Sequence, residues 1–307
     1  MAFHRRVAHR LAAEEFISVR EPQPDFIIIG AMKCATSTLH EQLALQPGFF
    51  MSTPKEPNFF SDDECYARGL DWYRGLFAEA PEGSIRGESS THYTKLPTHP
   101  HTVERLLATR WDCRLIYVMR HPVDRLVSHY IHEWTQRVMR RDINEELPLH
   151  HELVDYGRYA YQLGPWLDAF GKDRVLPVFF EALQARPQAE LDRIAAFLGC
   201  GNSLTWREMP AQNVSAERMR KSPLRDALVN NPALAVIRRK LVPSGFREWV
   251  KGFWTMKQRP SLSGENLAEI TKRFDEDLME LSELLGVRLD CAGFKSVAVQ
   301  GSPDWRK

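Results

Sequence analysis

The stretch Phe26-Ile27-Ile28-Ile29-Gly30-Ala31-Met32-Lys33-Cys34-Ala35-Thr36-Ser37-Thr38-Leu39 decides the fold. Its four leading apolar residues read as a short strand buried on both faces, and Gly30 ends it. Leu39 and Leu43 then recur at the spacing of a helix that opens near Thr36. A strand that turns through glycine directly into a helix leaves the first helical N–H groups without partners, at the positive end of the helix dipole. Such a turn is an anion site. Thr36, Ser37 and Thr38 add hydroxyl donors, and Lys33 adds a mobile positive charge.

The nucleotide-binding P-loop, G-x-x-x-x-G-K-[ST], is the natural comparison. Aligned on Gly30, the chain has Ala35 at the second glycine and Thr36 at the lysine, and its only lysine comes three residues earlier. The strand Leu115–Met119 ends in Arg120 rather than in an acid able to hold Mg²⁺. The loop is suited to gripping a phosphate and poorly equipped for Mg-ATP chemistry, which disfavours a P-loop nucleotide kinase.

Working outward, strands are expected near Ser84–Gly87, at Leu115–Met119 and at Val175–Phe180. Helices are expected from Pro122, which suits a first helical turn, through Tyr159, Leu163, Trp166, Leu167 and Phe170, and through Leu191, Ile194, Ala195 and Leu198. Leu267, Ile270, Phe274, Leu278 and Leu281 mark a last amphipathic helix. Strands alternating with helices imply an α/β fold with a P-loop-like parallel sheet flanked by helices. Ligands of such sheets gather at the carboxyl ends of the strands, where Gly30 and Arg120 both lie. The expected organisation is an N-terminal extension (1–24), one domain (25–290) in which residues 202–260 cover the site, and a C-terminal tail (291–307). Phe3, Val7 and Leu11 suggest a short amphipathic helix in the extension, docking on the body, a second subunit or a membrane surface.

Arg120 at its strand end is followed eight residues later by Ser128, about two helical turns on. A planar guanidinium fork and a hydroxyl together suit a phosphate monoester. Here the chain resembles the sulfotransferases that use 3′-phosphoadenosine 5′-phosphosulfate (PAPS), especially the heparan-sulfate type and its bacterial relatives. Gly30, Lys33, Thr36 and Leu39 match that family's loop for the 5′-phosphosulfate, Arg120 and Ser128 match its 3′-phosphate pair, and Lys55-Glu56-Pro57-Asn58-Phe59-Phe60 matches its K-E-P-x-F-F stretch. The likeness covers most of residues 25 to 200. Ala35 and Ser37 depart mildly from the loop, and in Glu88-Ser89-Ser90-Thr91-His92-Tyr93 the family's lysine and proline are replaced by Ser89 and Thr91.

The resemblance implies the sulfotransferase fold and sulfuryl transfer from PAPS, without a metal, to a hydroxyl or amine. Residues 33–38 (Lys33, Cys34, Ala35, Thr36, Ser37, Thr38) with Arg120 and Ser128 would hold PAPS. Lys33 would stabilise the leaving oxygen and Glu56 would act as base, with His92 as the alternative base. Lys55 and His92 are the candidate acceptor contacts. Tyr161, Gln162 and the loop Gln212–Ser215 with Arg218, Arg220 and Lys221 are further candidates near the nucleotide. A glycan, lipid, polyketide or small alcohol all remain open as acceptor. A nucleotide-binding module of the same ancestry without catalysis is the other reading, disfavoured by the presence of both Lys33 and Glu56.

Composition narrows the rest. The 307 residues carry a net charge of +1, which gives no field for nucleic acid. Five scattered cysteines, an odd number without C-x-x-C spacing, argue against a disulfide framework or zinc site and for a reducing, cytoplasmic setting. No apolar run reaches the ~20 residues that span a bilayer.

Overall fold

The computed structural model describes residues 21–208, 256 and 258–305. Five strands form one parallel sheet in the order β2-β3-β1-β4-β5: β1 Phe26–Gly30, β2 Phe49–Met51, β3 Ile85–Ser89, β4 Arg114–Met119 and β5 Val175–Phe179. β1 lies at the centre, with all five residues buried, as its unbroken apolar run requires. Phe26 pairs with Gly87 of β3 on one side and with Arg114 of β4 on the other. Gly87 is glycine for a packing reason: a Cβ there would come within 2.2 Å of the Phe26 ring. The short β2 carries only Phe-Phe-Met and was not visible in the periodicity; it is held by pairing with β3 from Phe49↔Ile85 to Met51↔Gly87.

The helices that position the site are α1 (Thr36–Ala44), α2 (Thr102–Ala108), α3 (Pro122–Thr135), α4 (Tyr159–Phe170), α5 (Phe180–Ala185) and α6 (Pro187–Leu198), followed by α7 (Gly264–Leu285) and α8 (Phe294–Gln300). α7 buries Ile270, Phe274, Leu278 and Leu281 as expected, whereas Leu267 in its first turn is exposed. Asp277, on the buried face of α7, accepts from the amides of Ala160 and Tyr161, 3.0 Å each, and so satisfies two donors at the start of α4. Residues 204–208 run over α1: Gln46 and Gln42 exchange side-chain-to-backbone hydrogen bonds with Thr205 and Arg207, at 2.7–3.0 Å.

The segment after residue 290, expected as a tail, contains α8, whose Phe294 is fully buried against Phe179, His121 and Tyr159. His121 Nε2 donates to the Cys291 carbonyl at 2.9 Å and its Nδ1 accepts from the Asp124 amide, so a neutral imidazole ties the start of α3 to this segment. The amphipathic pattern of Phe3, Val7 and Leu11 lies outside the described residues, as does most of 202–260. No described helix is long and apolar enough to cross a membrane.

On β3, Glu88 is fully buried among Tyr73, Tyr93 and Ser90, and burial pushes its carboxyl up to about 8. The native protein therefore keeps a proton that the unfolded chain loses near its ordinary value of 4.5. Because the folded pKa is the higher one, the stabilisation is complete below pH 4.5 and is lost as pH rises through 8, on the order of 5 kcal/mol in all. Glu88→Gln removes that titration. In thermal unfolding at pH 5.5 and pH 8, the variant should gain on the wild type at the higher pH; curves that stay parallel would show that Glu88 does not hold its proton.

Candidate active site

The site begins at Gly30. Its φ is +155°, and a Cβ would lie 2.0 Å from Thr94 Oγ1 and 3.0 Å from the Tyr117 ring, so only glycine lets the chain turn here. Thr94 Oγ1 donates to the Ile29 carbonyl (2.8 Å), and the Ala31 amide donates to Val118 (2.8 Å). Lys33 (φ +69°) and Ala35 (φ +67°) are both left-handed. Alternating handedness curls successive N–H groups to one side into a concave anion nest. Ala35 stands at the N-cap of α1 and no side chain caps the helix, so its first amides are left to a ligand.

Cys34 corrects the expectation for this loop. Its thiol points into the core, with no exposure, 3.8 Å from the Tyr159 hydroxyl, and its amide donates to Ala31 at 3.2 Å. Burial pushes the thiol up to about 12, so it stays protonated and inert. The Cys34 side chain thus roots the loop in the core.

Arg120 is set from both ends. The Tyr159 hydroxyl accepts from its amide (3.1 Å) and donates to its carbonyl. Its guanidinium lies over the Phe180 ring, 4.6 Å from the centroid, with Nη1 donating to the Lys33 carbonyl at 3.3 Å. Nε is buried and has no hydrogen-bond partner among the described residues, which it shares with the Nε atoms of Arg74, Arg86, Arg125 and Arg186. Ser128 projects from α3 into the same space, with His132 and Glu133 one turn further on.

The loop carrying Glu56 is anchored by aromatics. Phe59 stacks on Tyr73 (4.8 Å), which stacks on Trp111 (5.6 Å), and Phe60 packs edge-on against Tyr73 and Tyr93. The Glu56 amide donates to Ser89 (2.9 Å), and Glu56 itself adopts φ +57°. Lys55 Nζ bridges Ser37 Oγ (2.7 Å) and Glu56 Oε1 (3.1 Å), and Thr91 Oγ1 donates to the same carboxylate oxygen at 3.4 Å. One lysine thus spans the phosphate loop and the carboxylate.

These groups open on one cavity of about 540 Å³. Lys33, Ala35, Thr36, Ser37, Thr38, Arg120 and Ser128 line it together with Glu56 and His92, so the structure brings all these expected residues together. Lys55 reaches them only through its hydrogen bonds, and Cys34 not at all. His92 stacks on His99 (4.9 Å), and its Nδ1 is buried without a partner among the described residues. Burial, aided by Lys95, pushes the imidazole down to about 4, which makes it neutral and a feeble proton acceptor at neutral pH. Gln162 is buried away from the cavity, exchanging hydrogen bonds with both backbone groups of Leu96, and Tyr161 is not a lining residue either. The loop Gln212–Ser215 with Arg218, Arg220 and Lys221 lies outside the described residues.

Sequence reasoning missed the cavity residues Thr91, Lys95, His132, Glu133, Phe180 and Gln184. For Lys95 a signal existed: it stands three residues after His92, the period of a 3₁₀ turn, and Thr91–Thr94 is such a turn. Ser89 is fully buried and bonded to His40 Nδ1 at 2.9 Å, away from the cavity.

Comparison with known proteins agrees with this arrangement. Residues 23–282 match the sulfotransferase domain family. The mouse heparan sulfate glucosamine 3-O-sulfotransferase 3A1 is 33% identical over 191 residues, 59% of this chain and 47% of that protein. The human heparan sulfate glucosamine 3-O-sulfotransferase 6 is also 33% identical over 191 residues, 59% of this chain and 54% of that protein. The chain thus spans about half the length of the curated relatives it matches. A crystal structure of a sulfotransferase from Alicyclobacillus acidocaldarius shares the fold with a TM-score of 0.60 and 24% identity, covering 87% of this chain and 97% of that one. With its parallel sheet, its glycine turn into α1 and this family match over most of its length, the chain belongs to the sulfotransferase domain family.

Proposed function

We propose that the protein transfers a sulfuryl group from PAPS to a hydroxyl or amine of an acceptor. The observation that carries this reading is the meeting, in one cavity, of an uncapped helix start, Lys33, and the Arg120–Ser128 pair on one side with Glu56 on the other. The two anion-binding features suit the two phosphates of PAPS, with Arg120 and Ser128, which line the cavity together, offered to the 3′-phosphate. The PAPS molecule supplies an activated sulfuryl group on its 5′-phosphate.

The chain's own part is positioning and charge. The loop amides with Thr36, Ser37 and Thr38 hold the 5′-phosphate, and Lys33 stabilises the charge that collects on the bridging oxygen as the S–O bond breaks. Glu56 takes the acceptor's proton while the acceptor's oxygen or nitrogen forms the new bond to sulfur, and the bisphosphate leaves with the electron pair. Glu56, tied through Lys55 to the donor loop, is assigned as the base in preference to His92, which stacks on His99 and has no such link. Lys55, shared between Ser37 and Glu56, keeps the base next to the donor loop. Positive charge from Lys33, Lys55 and Arg120 does the work that Mg²⁺ does in kinases, so we assign a metal-independent reaction. Acceptors remain hydroxyl or amine compounds, including the glycans that the names of the heparan sulfate relatives indicate. All five cysteines are free thiols, which supports a cytoplasmic, reducing location.

Calorimetric titration with 3′-phosphoadenosine 5′-phosphate, without Mg²⁺, tests the reading. The wild type should bind, and Arg120→Ala should bind about 10- to 100-fold more weakly, the worth of one charge-assisted phosphate contact. A folded wild type that ignores this ligand but binds Mg-ATP would overturn the assignment. Lys33→Ala should keep the ligand within about tenfold yet lose about 10²- to 10³-fold in release of the bisphosphate from PAPS; undiminished turnover would remove Lys33 from the chemistry.

A further inference from the structure

Three glutamines grip one stretch of chain from two sides. At the end of α1, Gln46 Nε2 donates to the Thr205 carbonyl (2.9 Å) and its Oε1 accepts from the Thr205 amide (3.0 Å). One turn earlier, Gln42 makes the same pair of bonds with Arg207, at 2.7 and 2.9 Å. From α6, Gln188 Nε2 donates to the Leu204 carbonyl (2.9 Å) and its Oε1 accepts from the Trp206 amide (2.8 Å). Four residues at a helical rise cover about 6 Å and two residues of extended chain about 6.6 Å, so Gln42 and Gln46 meet alternate residues of the stretch. The residue between, Trp206, turns its amide the other way, as along a β-strand. A carboxamide offers a donor and an acceptor side by side, which is what the backbone of one residue presents. Gln42 and Gln46 are both buried, and these bonds satisfy amide groups that burial would otherwise leave unpaired.

The helices joined in this way carry the donor side of the cavity. α1 opens with Thr36, Ser37 and Thr38, which line it. Phe180 and Gln184 of α5 line it too, and Arg186 alone separates α5 from α6. Gln188 therefore stands in the first turn of the helix that continues from that wall. α6 is fixed to the sheet by Arg193, whose Nη2 donates to the Pro177 carbonyl of β5 at 2.6 Å. α1 is fixed to the core by Leu39 and Leu43 and to β3 by His40, bonded to Ser89. Those contacts hold each helix on the sheet, whereas the glutamines hold the two helices to one another.

Resting on the sulfotransferase reading, we propose that Gln42, Gln46 and Gln188 are positioning residues of the donor site. With residues 204–207 they form a brace that fixes the gap between α1 and the α5–α6 wall, and so the width of the pocket in which the nucleotide of PAPS lies. A nucleotide gripped from two walls binds best when the walls are already at the right distance, because no ordering is then left for the ligand to impose. Cutting the brace at either end frees the same gap. The reacting centre is held by the loop and Lys33 within one wall, so the loss falls on donor affinity and not on the transfer step.

The test cuts the brace at its two ends, with Gln42→Leu/Gln46→Leu on α1 and Gln188→Leu on α6, and then at both. Calorimetry with 3′-phosphoadenosine 5′-phosphate should show each cut weakening binding about 5- to 20-fold. Release of the bisphosphate at saturating PAPS, with water as acceptor where none is added, should stay within about twofold. The combined variant should bind no more weakly than the worse single cut, because one brace is lost only once. Additive losses, or folded variants that bind like the wild type, would overturn the brace while leaving the sulfotransferase reading intact. A wild type that neither binds the bisphosphate nor releases it from PAPS would sink that reading and the brace with it. Should the variants fail to fold, hydrogen exchange on the wild type decides. Binding of the bisphosphate should slow exchange at the Thr205, Trp206 and Arg207 amides, which donate to the three glutamines, since coupling between two sites is reciprocal. Exchange there that the ligand leaves unchanged refutes the proposal.

Discussion

At Gly30 the central strand meets the Thr94 hydroxyl at a distance that leaves no room for a Cβ, and everything around the cavity depends on that approach. Thr94 closes the 3₁₀ turn that also presents Thr91 and His92, and its hydroxyl bonds to Ile29 at the end of the strand. The contact therefore joins two parts of the site far apart in sequence: the anion loop that leaves β1, and the turn that leaves β3. A side chain at Gly30 would push these apart and change the spacing between phosphate loop and carboxylate at once. A transfer that depends on in-line geometry is sensitive to such shifts of about 1 Å.

Beneath this contact the protein keeps its ionisable groups in unusual states. Arg125 is fully buried under the loop, with Nε and Nη1 lacking partners among the described residues, while Nη2 donates to the Leu153 carbonyl. Cys34 and Glu88 are held neutral by burial, and so are His40, His92 and His129. Neutralising the surroundings leaves a few fixed positive charges to act over short range in a medium of low dielectric, where they count for more than in water. A net charge of +1 for the whole chain is no obstacle to binding a multiply charged anion, because the relevant charge is local.

Much of this could be read from the residues. Phe26–Ile29 is legible because a strand buried on both faces shows an unbroken apolar run, and the loop after it because glycine followed by lysine and hydroxyl residues has few other uses. Arg120 and Ser128, singled out by spacing and by the family resemblance together, do line the same cavity as that loop. The short β2 is not legible, since three residues carry no period. The burial of the Cys34 side chain is not legible, because nothing in a loop sequence says which of its side chains turn to the core. Lys95 escapes because its place depends on a 3₁₀ turn, whose period differs from that of the helix and strand patterns. The Asp277 cap on α4 is a contact across 116–117 residues, and only the packed structure reveals it.

The helix Phe294–Gln300 has a further consequence when the chain is considered in the order of its synthesis. The groups that secure His121, the neighbour of Arg120, lie far downstream of it: the Cys291 carbonyl, 170 residues on, Phe294, and Lys295, whose ammonium bonds to Asp124 at 2.6 Å. A nascent chain can thus form all five strands of its sheet before the segment that secures His121 has been made. The start of α3 is therefore held in its final place only after a segment 170 residues downstream has docked on it.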